Sequence, residues 1–273
     1  MTVMTVRPAS SAVGPLLREW RQRRRLSQLD LAIEADISAR HLSFVETGRS
    51  RPTTAMILRL SEHLEVPLRD RNTLLLAGGY APLYPEHGLD EPELAAVRAG
   101  LRRILDGHDP YPAVLVNRWW ELIDQNASIG IFIDTVAPSL LEPPVNVLRL
   151  SLHPDGMAPR IANLAEWRAH LLTRLHRQAA ATGDARLAAL HEEMRGYPGG
   201  ESEPPQVTDV AVPLRYRRGG RELSFFSMTA VVGAPMDITV GELALESFYP
   251  ADESTAEALR KSSRPQRGRG SQG

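Results

Sequence analysis

Between Gly14 and Ala77 the apolar residues recur at helical spacing in short, punctuated blocks. Leu16, Leu17 and Trp20 form one stripe, which ends in the basic run from Arg21 to Arg25, a charge suited to a helix C-terminus. Ser27 predicts an N-cap, with Asp30 three residues on as an imperfect capping box, and Leu31, Ala32 and Ala35 form the inner face behind it. Ser38 predicts a third helix with Leu42 and Val45 inward. Gly48 and Pro52 mark a loop, Thr53 starts a fourth helix, and a fifth runs from Leu68 to the Gly78-Gly79 stop. The expectation is an all-α five-helix domain over 14–79, behind an unpatterned, disordered stretch 1–13.

The pattern then loosens. Tyr80 to Gly88 is Pro- and Gly-rich and reads as a linker, and Asp90 with Glu93 opens a helix to about Asp106; residues 80–109 are a linker and connecting helix. Ala113 to Asn117 and Trp120 to Asn126 read as strands. Ile129 to Val136 and Asn146 to Leu152 are each a short helix or a strand. Asn163 is expected to cap a long helix to about Ala181, and Asp184 opens another to Arg195. Val207 to Arg217, Glu222 to Val232 and Ile238 to Ser247 then predict three strands. The order β-β, helices, β-β-β over 110–250 suggests an α+β, PAS-like domain, a sheet with helices on one face. Residues 251–273 lose their periodicity and are expected to be a disordered basic tail.

Composition narrows the chemistry. There are no cysteines, which excludes a disulfide framework, a thiol nucleophile and Cys-ligated zinc and suits a reducing cytoplasm. No signal-like or membrane-length apolar run is present, so a cytoplasmic protein without a membrane partner is expected. The net charge of -1 conceals an asymmetry. Residues 1–79 hold 12 Arg against 8 acids, residues 80–259 hold 15 Arg against 25 acids, and the last 14 residues hold five basic residues and no acid. Only the ends should favour a polyanion. No HExxH, P-loop or GxSxG occurs, and His153, His170 and His176 lack metal-ligand spacing, so neither a catalytic residue, a metal nor a cofactor is expected.

Ser27 to Glu46 has the build of a helix-turn-helix, whose second helix can enter a major groove of duplex DNA. The sequence LREWRQRRRLSQLDLAIEADIS…HLSFVETGRSRPT resembles the lambda-repressor-like, XRE-type family: Ser27-Gln28, Leu31-Ala32, Leu42, Val45, Glu46, Gly48 and Pro52 match its pattern. That resemblance implies a sequence-specific transcriptional regulator bound to a double-stranded operator. It makes Gln28, Ser38, Ala39, Arg40 and Ser43 candidates for DNA contact, with Arg49 and Arg51 in the basic loop behind them. Asp36 stands where the family usually has Gly, and Phe44 is large for a groove-facing position, where it either meets thymine methyls or packs on its own domain.

HDPYPAVLVNRWWELIDQN, VLRLSLHPDGMAPRIANLAEWRAHLLTRL and the closing strands resemble the ligand-binding domain of MmyB-like regulators, an actinobacterial-rich family. The resemblance implies a small apolar ligand, with fatty acids the leading class, and a homodimer. Trp167, His170, Leu171 and Arg174 share one face of the long helix and would suit a carboxylate with an acyl tail. Asn126 and His153 are further candidates, although turn chemistry explains both equally well. For Arg174 an ion pair with Glu166 or Asp184 is the plainer reading. Two other readings of this half stay open: a dimerisation or protein-interaction module, and a catalytic domain.

Overall fold

The computed structural model describes residues 13–200 and 212–262. The expected disorder over 1–12 and 263–273, and the start of the strand expected at Val207, lie outside the described residues. Two compact units are present: the chain through His87 together with Ala234–Gly241, and Gly88–Gly233 together with the chain from Glu242.

Among the described residues, the part of the first unit through His87 holds five α-helices, α1 (Val13–Arg23), α2 (Gln28–Glu34), α3 (Ala39–Glu46), α4 (Thr54–His63) and α5 (Leu68–Ala77). Local chemistry explains where they begin. Ser27 closes a full capping box: its hydroxyl accepts from Asp30 N at 3.1 Å, and Asp30 accepts from Ser27 N at 2.8 Å. Ser38 and Thr53 cap α3 and α4 in the same way through their hydroxyls. The core joins Leu17, Trp20, Leu31, Leu42, Val45 and Ile57. Val13, expected to be disordered, is the fully buried first residue of α1 and packs into this core.

The second unit follows the sheet order β2-β1-β5-β4-β3, antiparallel throughout. The strands are β1 (Ala113–Val116), β2 (Leu122–Gln125), β3 (Leu214–Arg218), β4 (Arg221–Val231) and β5 (Ala244–Pro250). Around them lie α6 (Ala95–Gly107), α7 (Gly130–Ile133), α8 (Val147–Leu152), α9 (Leu164–Thr182) and α10 (Ala185–Arg195). Both ambiguous segments are thus helical. This is the α+β, PAS-like arrangement expected of the strand order. Asp184 caps α10, its carboxylate accepting from Arg186 N and Leu187 N. Asn163 precedes α9 without a side-chain cap; its amide instead bridges to Pro213 O and Arg215 N, tying the helix start to β3.

Two expectations are corrected. Ile238 to Ser247 is not one strand. Ile238–Gly241 is a helical turn, α11, started by Asp237, whose carboxylate accepts from Val240 N at 3.2 Å, and β5 begins only at Ala244. The tail is not wholly unstructured, because Glu253–Ser262 forms α12. Asp252 caps it, accepting from Thr255 N at 2.7 Å, and Ala256 and Leu259 bury one face.

The stretch Ala234–Gly241 belongs to the first unit through specific bonds. Ile238 N donates to Pro85 O at 2.9 Å, Thr239 Oγ1 to His87 O at 2.7 Å, and His87 N to the buried Asp237 carboxylate at 3.1 Å. The linker at Tyr80 to Gly88 is therefore not the only covalent route between the units, since the chain also leaves and re-enters the second unit between β4 and β5.

Candidate functional site

In the first unit the turn between α2 and α3 passes through Asp36 at φ 49°. An Asp there costs less than a branched residue, since its short polar side chain tolerates the left-handed region. α3 turns Leu42, Val45 and Glu46 inward and leaves Arg40, Ser43, Phe44 and Thr47 on the opposite face, at i, i+3, i+4 and i+7. Arg40 and Ser38 are exposed, and Ala39 and Ser43 half-buried.

Under that face lies a buried network. Arg21, on α1, makes two bonds to Glu46, Nε to Oε1 at 2.6 Å and Nη2 to Oε2 at 2.8 Å, and both residues are below a tenth exposed. The Glu46 hydrogen bond holds the Arg21 guanidinium above its ordinary range. Gln28 donates to Glu46 Oε2 at 2.7 Å, so the first residue of α2 is fixed to the last of α3. Arg51 is engaged within its unit: its guanidinium donates twice to Gly78 O, at 3.2 and 2.9 Å, and stands 5.3 Å over the Tyr80 ring. It closes the C-terminus of α5, as Arg24 closes α4 through Leu64 O and Glu65 O. Arg49 is exposed beside α3.

In the second unit the inner faces of β1 and β5, β2, and helices α7, α8 and α9 line a partly open cavity of about 70 Å³. Its lining is apolar but for Gln125, Ser151, Arg174 and Glu246. Of the four residues singled out on the long helix, Trp167, Leu171 and Arg174 line it. His170 is not among the lining residues; it stacks on Trp167 with ring centres 5.4 Å apart. Burial first, and the Arg174 and Arg177 charges after it, push the His170 imidazole below its ordinary value, against the opposing pull of Glu246.

Arg174 pairs neither with Glu166 nor with Asp184. Its guanidinium grips Glu246 of β5 with both terminal nitrogens at 3.0 Å, reaches Thr229 Oγ1 at 2.5 Å and lies 4.4 Å over the Trp120 ring. Asp184 is taken by its cap, by Trp119 Nε1 and by Arg118.

Asn126 and His153 are placed elsewhere. Asn126, 1% exposed, is a clamp: it accepts from Ala113 N and donates to Tyr111 O and Leu105 O, satisfying the backbone entering β1. His153 ends α8, accepts from Asp155 N at 3.0 Å and packs edge-on against Tyr197, as turn chemistry suggested.

Two of the cavity residues that the sequence did not single out matter most for its chemistry. Glu246 is 6% exposed in a strand, and a buried carboxylate requires a partner; its position in ALESFYP is the only local signal. Trp120 has φ 65°, unusual for an aromatic residue, beside a register shift in the β1–β2 ladder, and its indole is held by Gln178 Oε1 at 2.8 Å. A strained backbone held in place this firmly puts the ring against both the cavity and Arg174. Nothing in the residue types signals that bend.

Among the described residues no helix is long and apolar enough to cross a membrane. A family model of a helix-turn-helix domain matches residues 12–74, and one of the MmyB-like transcription regulator ligand binding domain matches residues 97–261, more than half of the chain. No curated protein matches it significantly. Among solved structures, the restriction-modification controller protein C.AhdI from Aeromonas hydrophila is 30% identical, over 22% of this chain and 92% of its own, with a TM-score of 0.22. The clp gene regulator ClgR from Corynebacterium glutamicum is 23% identical over 27% of this chain and 92% of its own, with a TM-score of 0.23. With an XRE-like helix-turn-helix domain followed by that ligand-binding domain, the chain belongs to the MmyB-like transcription regulators, DNA-binding proteins that carry a ligand-binding domain.

Proposed function

We propose that the protein is a homodimeric regulator that reads an inverted repeat through α3 and is controlled by a small apolar acid, of the fatty-acid class, held in the cavity of the second unit. It acts in the cytoplasm, where its DNA lies. The observation that carries the ligand reading is an apolar cavity whose only charged residues are the Arg174–Glu246 pair. An apolar chain gains from burial there, and the pair offers one donor and one acceptor to a polar end. Glu246 already neutralises Arg174. An incoming acid therefore either arrives protonated, donating to Glu246 and accepting from Arg174, or displaces Glu246 as an anion. The cavity is smaller than the roughly 300–1,000 Å³ of sites that engulf drug-sized molecules, so a long chain requires lining side chains such as the unbranched Met157 to move.

For DNA, one eight-residue helix reads only a few base pairs, and two copies a helical turn apart, about 34 Å, multiply the contacts. Ligand and DNA are coupled if the ligand binds the two DNA-binding states unequally. The excursion held by Asp237 continues directly into β5, the strand that carries Glu246, and gives such coupling a covalent path.

The test is titration of saturated fatty acids of increasing length, and of the matching alcohols, into the full-length protein with and without a selected operator. Each added CH₂ should contribute about 0.8 kcal/mol until the cavity is filled. Affinity independent of chain length defeats the cavity as the site, and equal ligand affinity with and without DNA defeats the regulatory reading.

A further inference from the structure

Phe44 has no place in the interior of its own unit. It sits on the outward face of α3 with Arg40 and Ser43, and it is not among the half-buried apolar residues that pack on the first unit's core. It is nevertheless half-buried. Two cations flank the ring: the Arg40 guanidinium stands 5.4 Å from its centre and the Arg49 guanidinium 5.9 Å. The backbone reinforces the arrangement, because Arg49 N and Ser50 N both donate to Phe44 O, at 2.8 and 3.0 Å, folding the basic loop back onto this residue. An aromatic ring is thus displayed between α3 and its loop with two arginines gathered over it, and the domain's own packing does not require it there.

We infer that Phe44 is a specificity-determining residue that reads the C5-methyl of a thymine next to the base pair read by Arg40. The inference rests on the reading that α3 enters the major groove. In that groove thymine differs from cytosine by an apolar methyl as well as by its hydrogen-bonding edge, and an aromatic ring is a suitable apolar partner for it. Arg40 and Arg49 suit guanine edges and phosphates, so each has a partner to move to as the ring meets the methyl. The ring also holds the two arginines near each other before DNA arrives, which reduces the ordering needed on binding.

The experiment uses the full-length protein and a duplex selected from a random-sequence library, with each thymine in the footprint replaced in turn by deoxyuridine, which deletes only the methyl. Wild type should lose about fourfold in affinity at one position per half-site, the worth of one buried methyl. Phe44→Ala, checked for folding by thermal unfolding, should bind more weakly and be indifferent at that same position. A scan that is flat for wild type, a footprint without thymine, or an equal loss in wild type and Phe44→Ala would each overturn the inference. Arg40→Ala separates this failure from failure of the underlying reading. A flat scan with relaxed specificity in Arg40→Ala removes only the role of Phe44. Unchanged affinity and preference in Arg40→Ala removes α3 as the reading helix.

Discussion

Arg174 and Glu246, 72 positions apart in the chain, face each other fork to fork, both guanidinium Nη atoms lying 3.0 Å from the two carboxylate oxygens. The pair supplies the only charged side chains in the wall of a largely apolar cavity, so its state governs which polar end the cavity accepts. Glu246→Gln leaves Arg174 charged and without its counter-ion. We expect this variant to bind anionic fatty acids more tightly than wild type and alcohols no better, at a stability cost of about 1–3 kcal/mol. Calorimetric titration of an acid–alcohol pair of equal length checks it; equal changes for acid and alcohol would show that the pair does not meet the head group.

The Arg21–Glu46 pair braces the helix-turn-helix. Glu46→Ala strands a buried guanidinium and frees Gln28 at once. A loss of about 3–5 kcal/mol is expected, the usual penalty for breaking a buried pair from one side. Chemical denaturation followed by the fluorescence of Trp20, in a variant lacking the other tryptophans, measures it.

Asp36 holds φ 49° at the turn. Asp36→Gly relieves the left-handed strain at the expense of a more flexible unfolded chain. The expected outcome is a gain of about 0.5–1 kcal/mol with operator affinity unchanged, read from denaturant midpoints and a binding isotherm.

Arg40, Arg49 and Arg51 should part company. Arg51→Ala removes the bonds to Gly78 O and is expected to lower stability by about 1 kcal/mol while leaving the salt dependence of DNA binding as it was. Arg49→Ala should shallow the salt slope by about one unit, and Arg40→Ala should cost about 1–3 kcal/mol and relax preference at one base pair. Binding measured over a range of salt concentrations on selected and scrambled duplexes distinguishes the three.

His170 supplies a pH dependence with a definite sign. Burial and the neighbouring arginines hold its folded pKa below the ordinary value, so the unfolded chain binds the extra proton first. Its contribution to stability is complete above the ordinary histidine value near 6.5 and is lost as the pH falls towards the depressed one. His170→Gln should flatten the stability profile of the second unit across that window. A profile with the same slope in both proteins would show that other groups carry it.

Much of this protein follows from interactions that span only a few residues, and those were legible in its sequence. The capping box of Ser27 and Asp30, the caps at Ser38, Thr53 and Asp184, and the period of the first five helices are all local, so residue types at short spacing suffice to announce them. The succession of two strands, helices and three strands was legible for the same reason, because strand and helix periods differ. What the tertiary structure decided is where long side chains find their partners. Arg174 shares a helix turn with His170 and Leu171, but its acid comes from β5; Arg51 sits in a basic loop, but its acceptor is the end of α5, 27 residues on. Asn126 became a clamp for backbone 13 and 15 residues earlier, and the turn at Ile238 formed where Pro85 and His87 offered it acceptors from the far side of the chain. A charged or amide group on a long chain end pairs with whatever the fold brings within about 3 Å, and no period along the sequence encodes that neighbour.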